Sequence, residues 1–176
     1  MTTVATEGNR RVGAMTNTEI EQCVQDIKSW FERKSDLDMT SASPADFQRL
    51  EKAADEAVVP EGLQMLLTHL NGGIYFMEKE AMSADRIVKV LAQRSVSKLW
   101  DPMFLPFCGD EDDMLVIETG RGRVIEWDSQ DGAGDEVAPS FIQYLEDYRN
   151  SLLEGNMEFI DGCGVVEKLS NAKKGK

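Results

Sequence analysis

Met103-Phe-Leu-Pro-Phe107, Met114-Leu-Val-Ile-Glu118 and Val124-Ile-Glu-Trp127 are three brief runs rich in β-branched and aromatic residues. Such runs, separated by acidic or glycine-containing stretches, read as neighbouring strands of an antiparallel meander. Gly120-Arg-Gly122 supplies a hairpin tip between the last two, and residues 128–134 supply a further polar turn. Working outward in both directions, the apolar period lengthens from that of strands to that of helices.

Upstream, Thr18 with Glu21 forms a capping-box pattern, followed by Ile20, Cys23, Val24, Ile27, Trp30 and Phe31 on one face of a first helix. Residues 34–42 read as a loop. Ser43 caps a second helix that opens on Pro44 and Asp46 and turns Phe47, Leu50, Ala54 and Ala57 inward. Pro60 starts a third helix, with Leu63, Leu66, Leu67 and Leu70 buried, and Asn71-Gly-Gly73 ends it. Residues 74–77 read as a short strand, and Ser83 caps a fourth helix with Ile87, Val90 and Leu91 inward.

Downstream, Ser140 with Gln143 offers another capping box, and Phe141, Tyr144, Leu145, Tyr148 and Leu152 share a helix face that Gly155 ends. Residues 157–169 read as a last strand or short turn. Residues 1–15 read as a disordered tail and 170–176 as a disordered basic tail, which leaves 16–169 as one domain. Helices first, strands in the middle and a helix last predict an α+β fold, an antiparallel sheet with helices packed against it.

The chain has 176 residues, 41% hydrophobic and 29% charged, and no apolar run approaches the roughly 18 residues of a membrane span. The start lacks the apolar stretch of a secretory signal, so a cytoplasmic location is expected. Cys23, Cys108 and Cys163 form no Cys-x-x-Cys pair and read as reduced, structural thiols. The net charge is −13; the termini carry +1 (residues 1–15) and +3 (residues 167–176), leaving −17 for residues 16–166. A surface of that sign repels phosphate backbones, which argues against nucleic acid and for a partner protein with a basic surface.

The residues supply little chemistry. His69 is the one histidine, which removes every two-histidine metal motif. A hydrolase pairing His69 with Cys108 has no nucleophile elbow to support it. Asp110, Glu111, Asp112 and Asp113 form the densest acidic cluster, with Asp128, Asp131, Asp135 and Glu136 in a second. Neither follows the ligand spacing of a calcium-binding loop, so both read as solvated turns available to a basic partner. Gly120-Arg-Gly-Arg123 lacks the Gly-Lys-Ser/Thr ending of a phosphate loop. Among the tryptophans, Trp30 reads as core, while Trp100 and Trp127 are candidate interface anchors. No catalytic residue, cofactor or metal ligand is assigned.

Val59-Pro-Glu-Gly-Leu-Gln-Met-Leu-Leu-Thr-His-Leu-Asn-Gly-Gly73 resembles the opening block of the SMI1/KNR4 family (SUKH superfamily), a proline-started helix running into an Asn-Gly-Gly exit. The resemblance continues in order. Residues 100–107 are similar to the segment leading to the family's central strand, 114–117 to its apolar strand and 122–127 to the next. Ala138-Pro-Ser-Phe-Ile-Gln-Tyr-Leu145 is similar to its alanine–x–serine–phenylalanine helix start. Together these cover roughly residues 45–155. The chain departs from the pattern in its additional first helix and in Cys108-Gly-Asp-Glu-Asp-Asp113, where relatives carry a more glycine-rich turn.

The resemblance implies a twisted antiparallel sheet with helices packed on it and a non-enzymatic binding role. Its relatives include bacterial immunity proteins that neutralise toxins, fungal proteins that coordinate cell-wall synthesis with signalling, and a subunit of a tubulin polyglutamylase complex. The residues and the resemblance together leave three readings: an intracellular scaffold or accessory subunit with an acidic binding surface, an immunity protein occluding a basic nuclease cleft, and, from the residues alone, a hydrolase using His69 and Cys108 or a metal at residues 110–113. The first leads.

Overall fold

A computed structural model describes residues 16–168. The tails expected at 1–15 and 170–176 lie outside the described residues, as does Leu169. The element order is α1 (Asn17–Lys34), α2 (Pro44–Ala54), α3 (Glu61–His69), β1 (Tyr75–Phe76), β2 (Lys79–Glu80), α4 (Ala84–Arg94), β3 (Phe104–Gly109), β4 (Asp113–Glu118), β5 (Arg123–Asp128), β6 (Gly132–Ala138), α5 (Phe141–Leu153), β7 (Met157–Ile160) and β8 (Gly164–Glu167). It is the α+β arrangement expected.

Side-chain caps start most of the helices, and one of them corrects an expectation. The cap of α1 is Thr16, whose hydroxyl accepts from the Glu19 N–H at 3.1 Å while the Glu19 carboxylate accepts from the Thr16 N–H at 2.8 Å. Thr18 and Glu21 lie inside the helix. Ser43 and Asp46 make the same reciprocal pair at α2, where Pro44 fills the first position. At α5 Ser140 accepts from the Gln143 N–H, but the Gln143 amide donates to Asp147 at 2.9 Å, so that box is only half made. The six apolar residues read onto one face of α1 are all buried.

β3, β4, β5 and β6 form a four-stranded antiparallel sheet in sequence order, as the three apolar runs predict for its first three members. The fourth strand corrects the reading of 128–134 as a turn, because pairing begins at Gly132. Residues 74–77 also fold back on themselves. Phe76 pairs with Lys79, and Met77 at the tip takes a φ of 56°. Tyr148 of α5 holds that tip by donating to the Tyr75 carbonyl at 2.6 Å and accepting from the Met77 N–H at 3.2 Å. The last stretch is a hairpin of two strands, β7 and β8, joined to the tip by the Val165 N–H donating to the Met77 carbonyl at 2.9 Å.

α2 packs on α4, α4 on β3, α5 on β5 and β6, and α1 lies across α3 and α5. Leu50, Leu63, Leu67, Ile87, Phe107, Val116, Ile125 and Leu145 belong to the buried cluster between these layers. Burying a large aliphatic or aromatic side chain contributes about 1.5–3 kcal/mol, so this cluster dominates the stability. Among the described residues no helix is long and apolar enough to cross a membrane.

Candidate functional site: two acidic turns at one end of the sheet

The site begins with strand geometry. β4 and β5 are joined at one end by residues 119–122, so their opposite ends lie together, with Asp113 paired to Asp128. The turn before β4 and the turn after β5 are therefore neighbours, although about 18 residues separate them in sequence. The Ser129 N–H donates to the Asp112 carbonyl at 3.0 Å and locks one turn against the other.

Each turn is shaped by its own first acid. Asp110 Oδ1 accepts from the N–H groups of Asp112 and Asp113, both at 2.9 Å. Asp128 Oδ1 accepts from those of Gln130 and Asp131, at 2.9 and 2.7 Å. These are local side-chain turns of the kind that aspartate favours. Gly109 precedes the first with φ +112°, and a Cβ there would run into the Asp113 carbonyl and the Met114 Cα. Between the two turns lies an open hollow of about 560 Å³ lined by Asp112, Asp113, Asp128, Ser129 and Gln130.

The nine expected contact residues divide by geometry. Asp110 is occupied in shaping its turn. Glu111 pairs with Arg86 at 3.3 Å, Asp113 with Lys79 at 3.5 Å, and Glu136 with Arg123 at 3.5 Å. Glu136 and Asp135 sit farther along β6, outside the hollow. Asp112, Asp131 and Asp135 are exposed, and among the described residues their carboxylates meet no cation. Asp112 and Asp131 are thus the free charges of the paired turns.

Trp127 requires a correction. It is 1% exposed, because the segment before β3 folds over it, and so it cannot be a surface anchor. Its Nε1 donates to the Leu99 carbonyl at 3.2 Å, and the Arg94 guanidinium lies 5.3 Å from its ring centre. Trp100 is half-buried, edge-on to Trp127 at 5.2 Å and to Phe104 at 5.4 Å. What it supports is an apolar ledge that sequence reasoning missed: Leu99 remains 43% exposed and lies against Gly132, at the edge of the second acidic turn. The signal was Leu99-Trp100, an adjacent apolar pair in the linker between α4 and β3.

The residues weighed for catalysis are each engaged with other groups. His69 Nδ1 lies 3.2 Å from Gln25 Nε2 and its Nε2 3.2 Å from Glu21, so α1 occupies both ring nitrogens. Cys108 is buried in β3, bridged to Ala81, and burial pushes its thiol well above the ordinary value. Among the described residues no three metal-ligating side chains converge.

The model of the SMI1/KNR4 family (SUKH-1) matches residues 41–161. The chain belongs to this family. The SMI1/KNR4 match runs from just before α2 to the end of β7, which places both acidic turns inside the family unit and α1 outside it. α1 packs six buried apolar residues toward α3 and α5 of the matched segment. Comparison with curated proteins returns no match.

Proposed function

We propose that this SMI1/KNR4 domain is a non-enzymatic interaction module of the cytoplasm, a scaffold or accessory subunit whose acidic surface binds a partner protein with a basic surface. The observation that carries this reading is the juxtaposition of the two acidic turns, with Asp112 and Asp131 uncompensated and the exposed Leu99 packed against Gly132, next to Asp131. Free carboxylates steer a basic partner, and a neighbouring apolar ledge supplies the desolvated anchor that charges alone lack.

The test is capture from native lysate at low salt by the wild-type chain and by Asp112→Lys/Asp131→Lys. Loss of specific partners in the variant, and in the wild type at high salt, is the expected result. An unchanged partner set would dismiss this surface. A second reading, supported by family membership because the family includes immunity proteins, has the same acids block the basic cleft of a toxin nuclease. A toxin gene adjacent to the coding sequence would favour it, and a eukaryotic source would count against it.

A further inference from the structure

At the opposite end of the sheet from the acidic turns, an apolar groove of about 320 Å³ runs between the α2–α3 junction, the β4–β5 tip and the start of α5. Val58, Pro60, Gly62, Ile117, Phe141 and Ile142 line it. That volume is near the low end of small-molecule sites, which span about 300–1,000 Å³, and accommodates one or two side chains. Val58 is 77% exposed, so it stands on the rim without a place in the core. The floor is closely packed: a Cβ at Gly62 would lie 3.1 Å from the Phe141 ring and 3.2 Å from Ile142, so a larger residue there would push those side chains by a few tenths of an ångström.

Charge decides the occupant. Glu61 lines the groove, and Asp55 and Glu56 precede Val58 in the α2–α3 connection; all three are exposed and among the described residues have no ion-pair partner, against the single exposed Lys52 at the end of α2. On the facing side Arg123 is already shared between Glu118 and Glu136, which leaves Arg121 as the one arginine of the tip without a carboxylate. Acids therefore exceed bases around an apolar floor. A second copy of the chain, itself at −13, is a poor occupant by the same electrostatics.

We propose that this groove takes an aliphatic side chain from a lysine- or arginine-rich segment of a partner protein, whose cations lie along Asp55, Glu56 and Glu61. It rests on the reading of the domain as a protein-binding module, and adds a second anchor point about one strand length from the acidic turns. The two anchors are separately testable because no residue belongs to both.

The probe is an eight-residue amidated peptide of alternating lysine and leucine, with lysine–glycine and glutamate–leucine peptides as controls, added to the full chain carrying labelled methyl groups. The lysine–leucine peptide is expected to shift the Val58, Ile117 and Ile142 methyl resonances, with neither control doing so. Val58→Ser, at an exposed position that leaves the core intact, and Glu61→Lys are each expected to weaken binding roughly tenfold. Methyl groups that stay unmoved, that move equally with lysine–glycine, or that give the same affinity in Val58→Ser would overturn the groove. A change in the sedimentation coefficient of the free chain on Val58→Ser would also overturn it, by making the occupant a second copy. If Asp112→Lys/Asp131→Lys abolishes lysate capture while the methyl shifts persist, both anchors stand. If that variant captures normally while the shifts persist, the acidic turns fail and the groove stands.

Discussion

Arg149 Nη1 lies 3.0 Å from Asp26 Oδ2, joining α5 of the family unit to α1 beyond its boundary. The same helix meets α3 through Glu21 and Gln25 on His69, and sends Phe31 to the Phe159 ring at 6.5 Å. These contacts fix where α1 lies, but the apolar face carries the energy. Ile20, Val24, Ile27, Trp30 and Phe31 are each at most 2% exposed, so α1 is part of the core despite lying outside the family match.

Trp30→Ala is therefore expected to lower the unfolding free energy by about 3–5 kcal/mol, the range for removing a large aromatic from a packed core. Asp26→Ala is expected to cost about 1 kcal/mol or less, because both partners of its ion pair retain solvent. Urea denaturation measures both. A Trp30→Ala loss below about 1 kcal/mol would show α1 to be a detachable accessory.

The alkaline limb of stability provides a second test. Burial pushes the Cys23 thiol up to about 11 from 9.0, and also raises Cys108, Tyr144 and Tyr148. The fold favours the protonated forms, so above pH 9 the unfolded chain holds fewer protons than the native one. The contribution of Cys23 is fully present below pH 9 and is lost as pH rises toward 11. Stability should fall across that window by up to about 1.4 kcal/mol per pH unit for each such group, and Cys23→Ala should flatten the fall. In the native state only the exposed Cys163 should react promptly with a thiol reagent, with Cys23 and Cys108 following on unfolding. Prompt reaction of all three would contradict the burial.

How far the sequence reveals this molecule depends on whether the signal is local. Ser43-Pro44 with Asp46 contains its own hydrogen-bonding logic, and α2 starts there as read. For α1 two overlapping windows, Thr16 to Glu19 and Thr18 to Glu21, both satisfy the capping rule; the earlier one adds two exposed, hydrogen-bonded residues without burying a polar side chain. β6 was hidden because Gly132, Ala133, Gly134, Asp135 and Glu136 have poor strand propensity, and pairing with β5 alone makes them a strand. Trp127 illustrates the same limit: its alternation marks a strand, while its covering by residues 99 and 100 is a tertiary fact. For the site, the charge was legible, but the adjacency of the two turns follows from register, and the division of acids into turn-formers, paired and free follows from coordinates.

Because the Ser129 to Asp112 hydrogen bond and the Asp113–Asp128 pairing hold two acidic turns together, the native state carries a repulsion that the unfolded chain relaxes. Salt should relieve it. Raising ionic strength from about 0.01 M to 0.15 M shortens the screening length from about 30 Å to about 8 Å, so Tm should rise over that interval. Asp112→Lys/Asp131→Lys should raise stability at low salt by about 0.5–1 kcal/mol and flatten the salt response. Asp36→Lys/Asp38→Lys, on the exposed stretch after α1, alters net charge equally and separates local from global repulsion. A smaller gain from that control is expected. Equal gains from the two variants would mean that the −13 net charge, and not the paired turns, sets the salt dependence.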